Sequence, residues 1–287
     1  MKKLVALLAV TLLLVGCSDA RVQITSNETL LTVNGQTVTE QDLFNVMKLS
    51  DAGSTVISNA SKILTKDVKD ASIDERVADQ IKQVKEYFEL LNQNFEDYLK
   101  SLGYETEQQY IDEQLYPQYA LNFLVEQKIE ADYATLATEY KPIKLRILQT
   151  ATIANANSAL ERIKNGESFT DVAKDLAAEK ATYVGETKVY SIKDTQFPTV
   201  VSTFVTTQTS PGLSTVLTTE GSEISYVVEI IETQTDRIKD EAIDMLLENS
   251  KLTQSYIAKL YKENGFKVYD RDILTSLQSN YADYLSQ

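Results

Sequence analysis

The chain has 287 residues, 43% of them hydrophobic, with 16 tyrosines, no histidine, no tryptophan and one cysteine. Without an imidazole there is no Ser-His or Cys-His dyad and no histidine-ligated metal, which removes most hydrolase and zinc chemistries. A formal charge of −14 argues against nucleic acid as a partner, because phosphates are neutralised by Lys and Arg. The length suits one or two domains.

Residues 1–17 carry a basic start (Lys2, Lys3) and an apolar run from Leu4 to Val15. The run is too short to span a bilayer and has the layout of an export signal. Its ending, Leu14-Val15-Gly16-Cys17, resembles a bacterial lipobox. That resemblance implies cleavage before Cys17 and a diacylglycerol on its thiol, which would hold the protein at the extracytoplasmic face of the bacterial cell membrane. Dual acylation anchors durably where one chain would not. The alternative is an ordinary signal peptide with an incidental cysteine. Residues 18–29 are polar and read as a tether.

Leu30 to Thr39 alternates apolar and polar residues around Asn34-Gly35, the preferred pair for a type I′ hairpin turn. Thr39 then caps a helix that opens with acids at Glu40 and Asp42, where the helix dipole favours them. Val33-Asn34-Gly35, Val38-Thr39 and Asp42-Leu43 together resemble the start of secreted foldases of the PrsA and SurA type.

From Ile73 to Leu102 apolar residues recur at helical spacing (Ile73, Val77, Ile81, Val84, Phe88, Leu91, Phe95, Leu102), which predicts one long amphipathic helix stopped by Gly103. The stripe either packs within its own domain or lines a groove for unfolded proteins. Thr106 caps the next helix, in which Pro117 predicts a kink or a break. Tyr140-Lys141-Pro142 marks a hinge.

Leu145 to Gln149 reads as a strand, followed by a helix with Ala156, Ala159, Leu160 and Ile163 on one side. Gly166 stands where a left-handed stop belongs, and Phe169, Val172, Ala173 and Leu176 form a second small face. After Ala177 the sequence turns β-branched, with strands at Lys188 to Ile192 and Tyr226 to Ile231 and turns at Pro198, Pro211-Gly212 and Gly221. A last amphipathic helix from Asp236 to Asn264 ends at Gly265, and a short tail follows from Asp270.

Ile147-Leu148, Ala156, Ala159-Leu160, Gly166, Phe169 and Ala173 resemble, in order, the opening of a parvulin-type peptidyl-prolyl isomerase domain. Phe197-Pro198, Phe204, Ser210 to Ser214 and Tyr226 to Ile230 resemble its second half, so the likeness covers residues 142–233. It implies an α+β fold: a helical chaperone domain (30–140 plus 235–287) with an inserted parvulin-like β-α-α-β sheet domain (142–233).

The same resemblance places Arg146 and Tyr226 where such isomerases carry two histidines. Between Leu176 and Gly185 it leaves only Glu179 as an acid, and the glycine-rich turn is reduced to Gly185-Glu186-Thr187-Lys188. Phe197 and Phe204 are the walls of a partial proline pocket, or else core residues of a small sheet. Arg146, Phe197, Phe204 and Tyr226 are therefore the candidate client or proline cleft, with Cys17 as the lipidation site and no catalytic residue assigned.

The leading expectation is a membrane-anchored foldase or holdase for exported proteins with an inactive parvulin-like domain, needing no cofactor or metal. Its partners would be unfolded or partly folded exported proteins and the lipid bilayer, with a homodimer left open. Two alternatives stand beside it: a divergent active isomerase, and a surface solute-binding or adhesion lipoprotein. Convergence of Arg146, Phe197, Phe204 and Tyr226 on one open cleft would favour the isomerase.

Overall fold

Asn34 and Gly35 both take positive φ, 49° and 76°, as a type I′ turn requires, and the flanking strands β1 (Thr29–Val33) and β2 (Gln36–Thr39) pair antiparallel. The structure is a computed structural model that describes residues 24–285 apart from 26 and 51. The leader, Cys17 and most of the 18–29 tether lie outside the described residues. Contacts divide the chain into two compact units: one runs to Val125 and resumes at Gln254, the other is Glu126–Thr253.

In the first unit, α1 (Glu40–Ser50) is capped as its sequence suggests. Asp42 Oδ2 accepts the Thr39 N–H at 2.9 Å, and Thr39 Oγ1 accepts the Asp42 N–H at 3.3 Å. Helix α2 (Ala52–Thr65) follows.

The long helix expected from Ile73 to Leu102 is two helices, α3 (Ala71–Leu90) and α4 (Phe95–Ser101). Asn92 adopts a left-handed φ of 53°, Gln93 N–H closes on Phe88 O at 2.9 Å, and Asn94 Oδ1 restarts the helix by accepting the Asp97 N–H. The two asparagines supply the stop and the cap that periodicity alone overlooks. Ile73, Val77, Ile81, Phe95 and Leu99 still share one core, joined by Leu115 and Ala120. Leu91, at the corner between the two helices, and Leu102, at the far end of α4, remain about half exposed.

Around Pro117 the helix neither breaks nor runs regularly. Thr106 caps α5 (Glu107–Tyr110), a π-turn follows over Ile111–Leu115, and α6 (Tyr116–Ala131) continues. The Tyr116 N–H reaches back to Ile111 O, so the widened turn accommodates a residue that has no N–H and whose ring crowds a normal turn.

The short tail expected from Asp270 is a further helix, α13 (Arg271–Asn280), whose first turn is capped by Asp270 Oδ1 through Asp272 N and Ile273 N. It packs on α1 and α2. Lys48 of α1 places its Nζ 3.1 Å from Asp270 Oδ2, and both side chains are almost fully buried. This ion pair, with the Phe44 ring 4.8 Å from the same ammonium, fastens the two ends of the described chain together.

The second unit takes in the end of α6 from Glu126 and continues with α7 (Tyr133–Tyr140) and the central strand β3 (Pro142–Thr150). The pair α8 (Ile153–Lys164) and α9 (Phe169–Leu176) follows as expected, with Gly166 at φ 93° between them. Strand β4 (Val184–Ser191) begins earlier than its sequence suggests and absorbs Gly185 to Lys188.

Residues Thr199–Thr207 form helix α10 although they are rich in β-branched residues. Val201 and Val205 are fully buried on the sheet, and the Thr203 and Thr206 hydroxyls bond back to carbonyls four residues earlier. Burial of one face overrides weak propensity. Two short strands, β5 (Gly212–Leu213) and β6 (Leu217–Thr218), precede β7 (Ser225–Glu232). The antiparallel sheet has the order β4-β3-β7-β5, with β6 also on β7.

The helix expected from Asp236 to Asn264 is likewise divided. A 3-10 turn over Thr235–Ile238 leads into α11 (Lys239–Leu247), and α12 (Ser250–Glu263) restarts after Asn249, whose Oδ1 accepts the Leu252 N–H at 3.1 Å. Architecture is thus mixed α+β, a mostly helical unit and a sheet unit.

Candidate functional site

Alternation along β3 decides which candidate residues can meet. Ile143, Leu145 and Ile147 point to one face of the sheet, where Val228 and Ile230 of β7 and Val201 and Val205 of α10 complete a dry core. Phe197, Phe204 and Tyr226 sit half-buried at the rim of this core, beside Tyr183 and Tyr190. Tyr190 lies against Phe197 with ring centroids 5.4 Å apart, and Tyr183 meets Tyr226 edge-on at 6.4 Å. Three of the four expected cleft residues therefore belong to one aromatic face.

Arg146 does not. It occupies the intervening position of β3 and points to the other face, where Leu148, Val227 and helices α8 and α9 form a separate core. Its Nε donates to Glu229 Oε2 at 2.5 Å across the β3–β7 pair, and its guanidinium lies 4.6 Å over the Phe169 ring. Cross-strand pairing and ring stacking hold this cation.

Burial pushes the Tyr183, Tyr190 and Tyr226 hydroxyls above their ordinary pKa, for Tyr226 through desolvation alone. All three stay neutral at physiological pH and can donate a hydrogen bond. Glu179 is exposed in the turn after α9. The face offers aromatic stacking, apolar contact and neutral hydroxyl donors, a chemistry suited to holding apolar side chains or a proline ring. Among the described residues no group of three or more His, Cys, Asp or Glu is placed to hold a metal ion.

Two features were not legible beforehand. Gly185 has φ 84°, and a Cβ built there would lie 2.4 Å from the Ala173 Cβ, so only glycine lets β4 approach α9 this closely. An open groove of about 760 Å³ runs beside β4, lined by Lys188 to Ser191 on one side and Met245, Glu248 and Asn249 on the other. Tyr190 belongs to both the groove and the aromatic face.

Fold and face together describe a mixed α+β chain whose sheet unit presents a half-buried aromatic surface. The chain is 25% identical, over an alignment of 303 residues covering 98% of it and 88% of the relative, to the foldase protein PrsA of Streptococcus mutans. It is 23% identical to the foldase protein PrsA of a Streptococcus pneumoniae strain, over 94% of this chain and 92% of that one.

Among solved structures, the foldase protein PrsA from Streptococcus pneumoniae matches 90% of this chain and all of its own at 20% identity and a TM-score of 0.49. The peptidylprolyl isomerase (PrsA) from Bacillus cereus matches 88% of this chain and 98% of its own at 17% identity and a TM-score of 0.46. No protein-family profile matches the chain. The resemblance to PrsA-type foldases extends along nearly the whole sequence.

Proposed function

We propose that the chain is an extracytoplasmic foldase of the holdase kind, tethered by a lipid on Cys17, which binds unfolded exported proteins through apolar and aromatic surface. The sequence relatives named as foldases over nearly their full length support the role. The lipobox-like ending before Cys17 supports the anchor, and no described helix is long and apolar enough to cross a membrane. The split helical domain (30–140 plus 235–287) and the inserted parvulin-like domain (142–233) are the working division of labour.

The sheet unit acts as a binding module without isomerase chemistry. One observation carries this part: Arg146 is ion-paired with Glu229 on the face opposite Phe197, Phe204 and Tyr226. Isomerisation must lower a barrier of about 18–20 kcal/mol by positioning and electrostatics in one site. A cation on the far side of the sheet adds nothing to that site.

Proline-limited refolding of a substrate protein is the test. With catalytic amounts of the chain, the slow phase is expected to keep its rate, while stoichiometric amounts suppress aggregation. An accelerated slow phase, lost in Tyr226→Ala, would favour the divergent isomerase. The clustering of Phe197, Phe204 and Tyr226 on one face is what keeps that second reading in play. For the anchor, Cys17→Ser is expected to release the protein from the membrane fraction; an unchanged distribution would refute lipidation.

A further inference from the structure

Strands β1 and β2 form a ribbon that, among the described residues, pairs with no other strand. Every residue of β1 is exposed, with Leu31 at 51% and Val33 at 63%. Leu31 pairs across the ribbon with Val38, so these three apolar side chains share one face. Such an exposed edge is normally blunted by charge, by proline or by cover from another element. Here Thr29 to Thr39 contains no charged residue and no proline, in a chain that is 24% charged.

Pairing alternates along the ribbon. The residues beside the two-residue turn, Val33 and Gln36, form a hydrogen-bonded pair, so Thr32 turns its N–H and C=O outward at one edge and Thr37 does so at the other. An extended chain laid along β1 would take these free groups and place alternate side chains on Leu31 and Val33.

The surroundings select what kind of chain that is. Glu28, Glu40 and Asp42 stand at the end of the ribbon away from the turn. Asp42 is held ionised by hydrogen bonds from the Thr39 backbone and hydroxyl, which lower its carboxyl below the usual value. Edge-to-edge pairing of two copies would set against each other two chains that each carry −14. A foreign strand with an uncharged, β-branched core and basic flanks meets complementary charge instead.

Resting on the foldase reading, we infer that the ribbon is a docking edge for extended client segments, taken up by strand addition to β1 and selected for an uncharged apolar core with basic flanks. This assigns a binding mode to a surface outside the sheet unit and its aromatic face.

The test is a titration of the full chain with a synthetic peptide that alternates valine and threonine between paired lysines. Further measurements use the same peptide N-methylated at alternate amides, a glutamate-flanked version, and the Thr32→Pro and Leu31→Lys variants. Strand addition predicts at least tenfold weaker binding of the methylated peptide and a similar loss in Thr32→Pro, whose missing N–H faces the open edge. Leu31→Lys is expected to weaken the lysine-flanked peptide and not the glutamate-flanked one, which guards against a misfolded Thr32→Pro.

Equal binding of methylated and unmethylated peptide would overturn the inference. So would a concentration-dependent dimer that Thr32→Pro abolishes, since the occupant would then be a second copy. Aggregation suppression by the wild type, measured alongside, separates the two levels. If suppression persists while the peptide ignores the ribbon, only the docking edge fails; if suppression is absent, the foldase reading fails.

Discussion

The two units treat their apolar residues differently. In the sheet unit, alternate strand positions send nearly every large apolar side chain into one of two cores, and only Ile153, Val184 and Ile224 are substantially exposed. The other unit leaves a continuing series of them in water, from Leu30 through Leu49 and again at Tyr87, Leu90, Leu91, Tyr98 and Leu102. The sheet unit is the more self-contained of the two, and the helical unit is the one that leaves large apolar side chains exposed.

The largest effect that could break this comparison concerns what holds the helical unit together. Lys48→Ala would leave Asp270 buried without its cation and is expected to cost about 3–5 kcal/mol. Urea unfolding followed separately in each unit checks it: the helical unit should lose stability and the sheet unit should not. Loss in both would mean the units do not fold independently.

A comparable lesion in the sheet unit is Gly185→Val. Its φ of 84° and the 2.4 Å approach to Ala173 force both backbone strain and overpacking, an expected loss of about 3 kcal/mol. Thermal unfolding read from the aromatic face would show it, and an unaffected midpoint would mean β4 can move away from α9 at little cost.

Surface variants sharpen the contrast with smaller changes in stability. Leu90 is 81% exposed at the α3–α4 corner. Leu90→Ser is expected to shift stability by no more than about 0.5 kcal/mol, while aggregation suppression falls several-fold. Ile153→Ser, on the sheet unit, is expected to leave suppression unchanged. Equal losses from both would erase the distinction between the units.

The smallest expected effect is an acid-side one at the start of α1. The Thr39 backbone N–H and hydroxyl hold the Asp42 carboxyl below its ordinary value. A carboxylate depressed in the folded state contributes fully above its unfolded pKa of about 3.9, and that contribution fades as pH falls through the lower folded value. Amide exchange in α1 is expected to rise across that window, and Asp42→Asn should flatten the dependence.

Much of the local structure was legible because it depends on neighbours in sequence. The Asn34-Gly35 turn, the Thr39 and Thr106 caps and the stop at Gly166 each follow from the backbone preference of one or two residues. Helix breaks were harder. A hydrophobic stripe passes through Asn92 to Asn94 and through Asn249 without losing its period, yet in both places an asparagine finds a better use capping a new helix. The helix at Thr199–Thr207 was hidden for the opposite reason: its β-branched residues favour a strand until Val201 and Val205 are buried.

The sequence by itself determined the composition that excludes imidazole chemistry, the turns and caps, and the order of strand and helices around Gly166. The tertiary structure alone decided that Lys48 and Asp270, more than two hundred residues apart, would share a buried contact. It also decided that Arg146 would face Glu229 and Phe169 while Phe197, Phe204 and Tyr226 gather on the other side. Turns and caps are settled by a few consecutive dihedrals, whereas the face a strand residue occupies depends on what the rest of the chain brings to bury it.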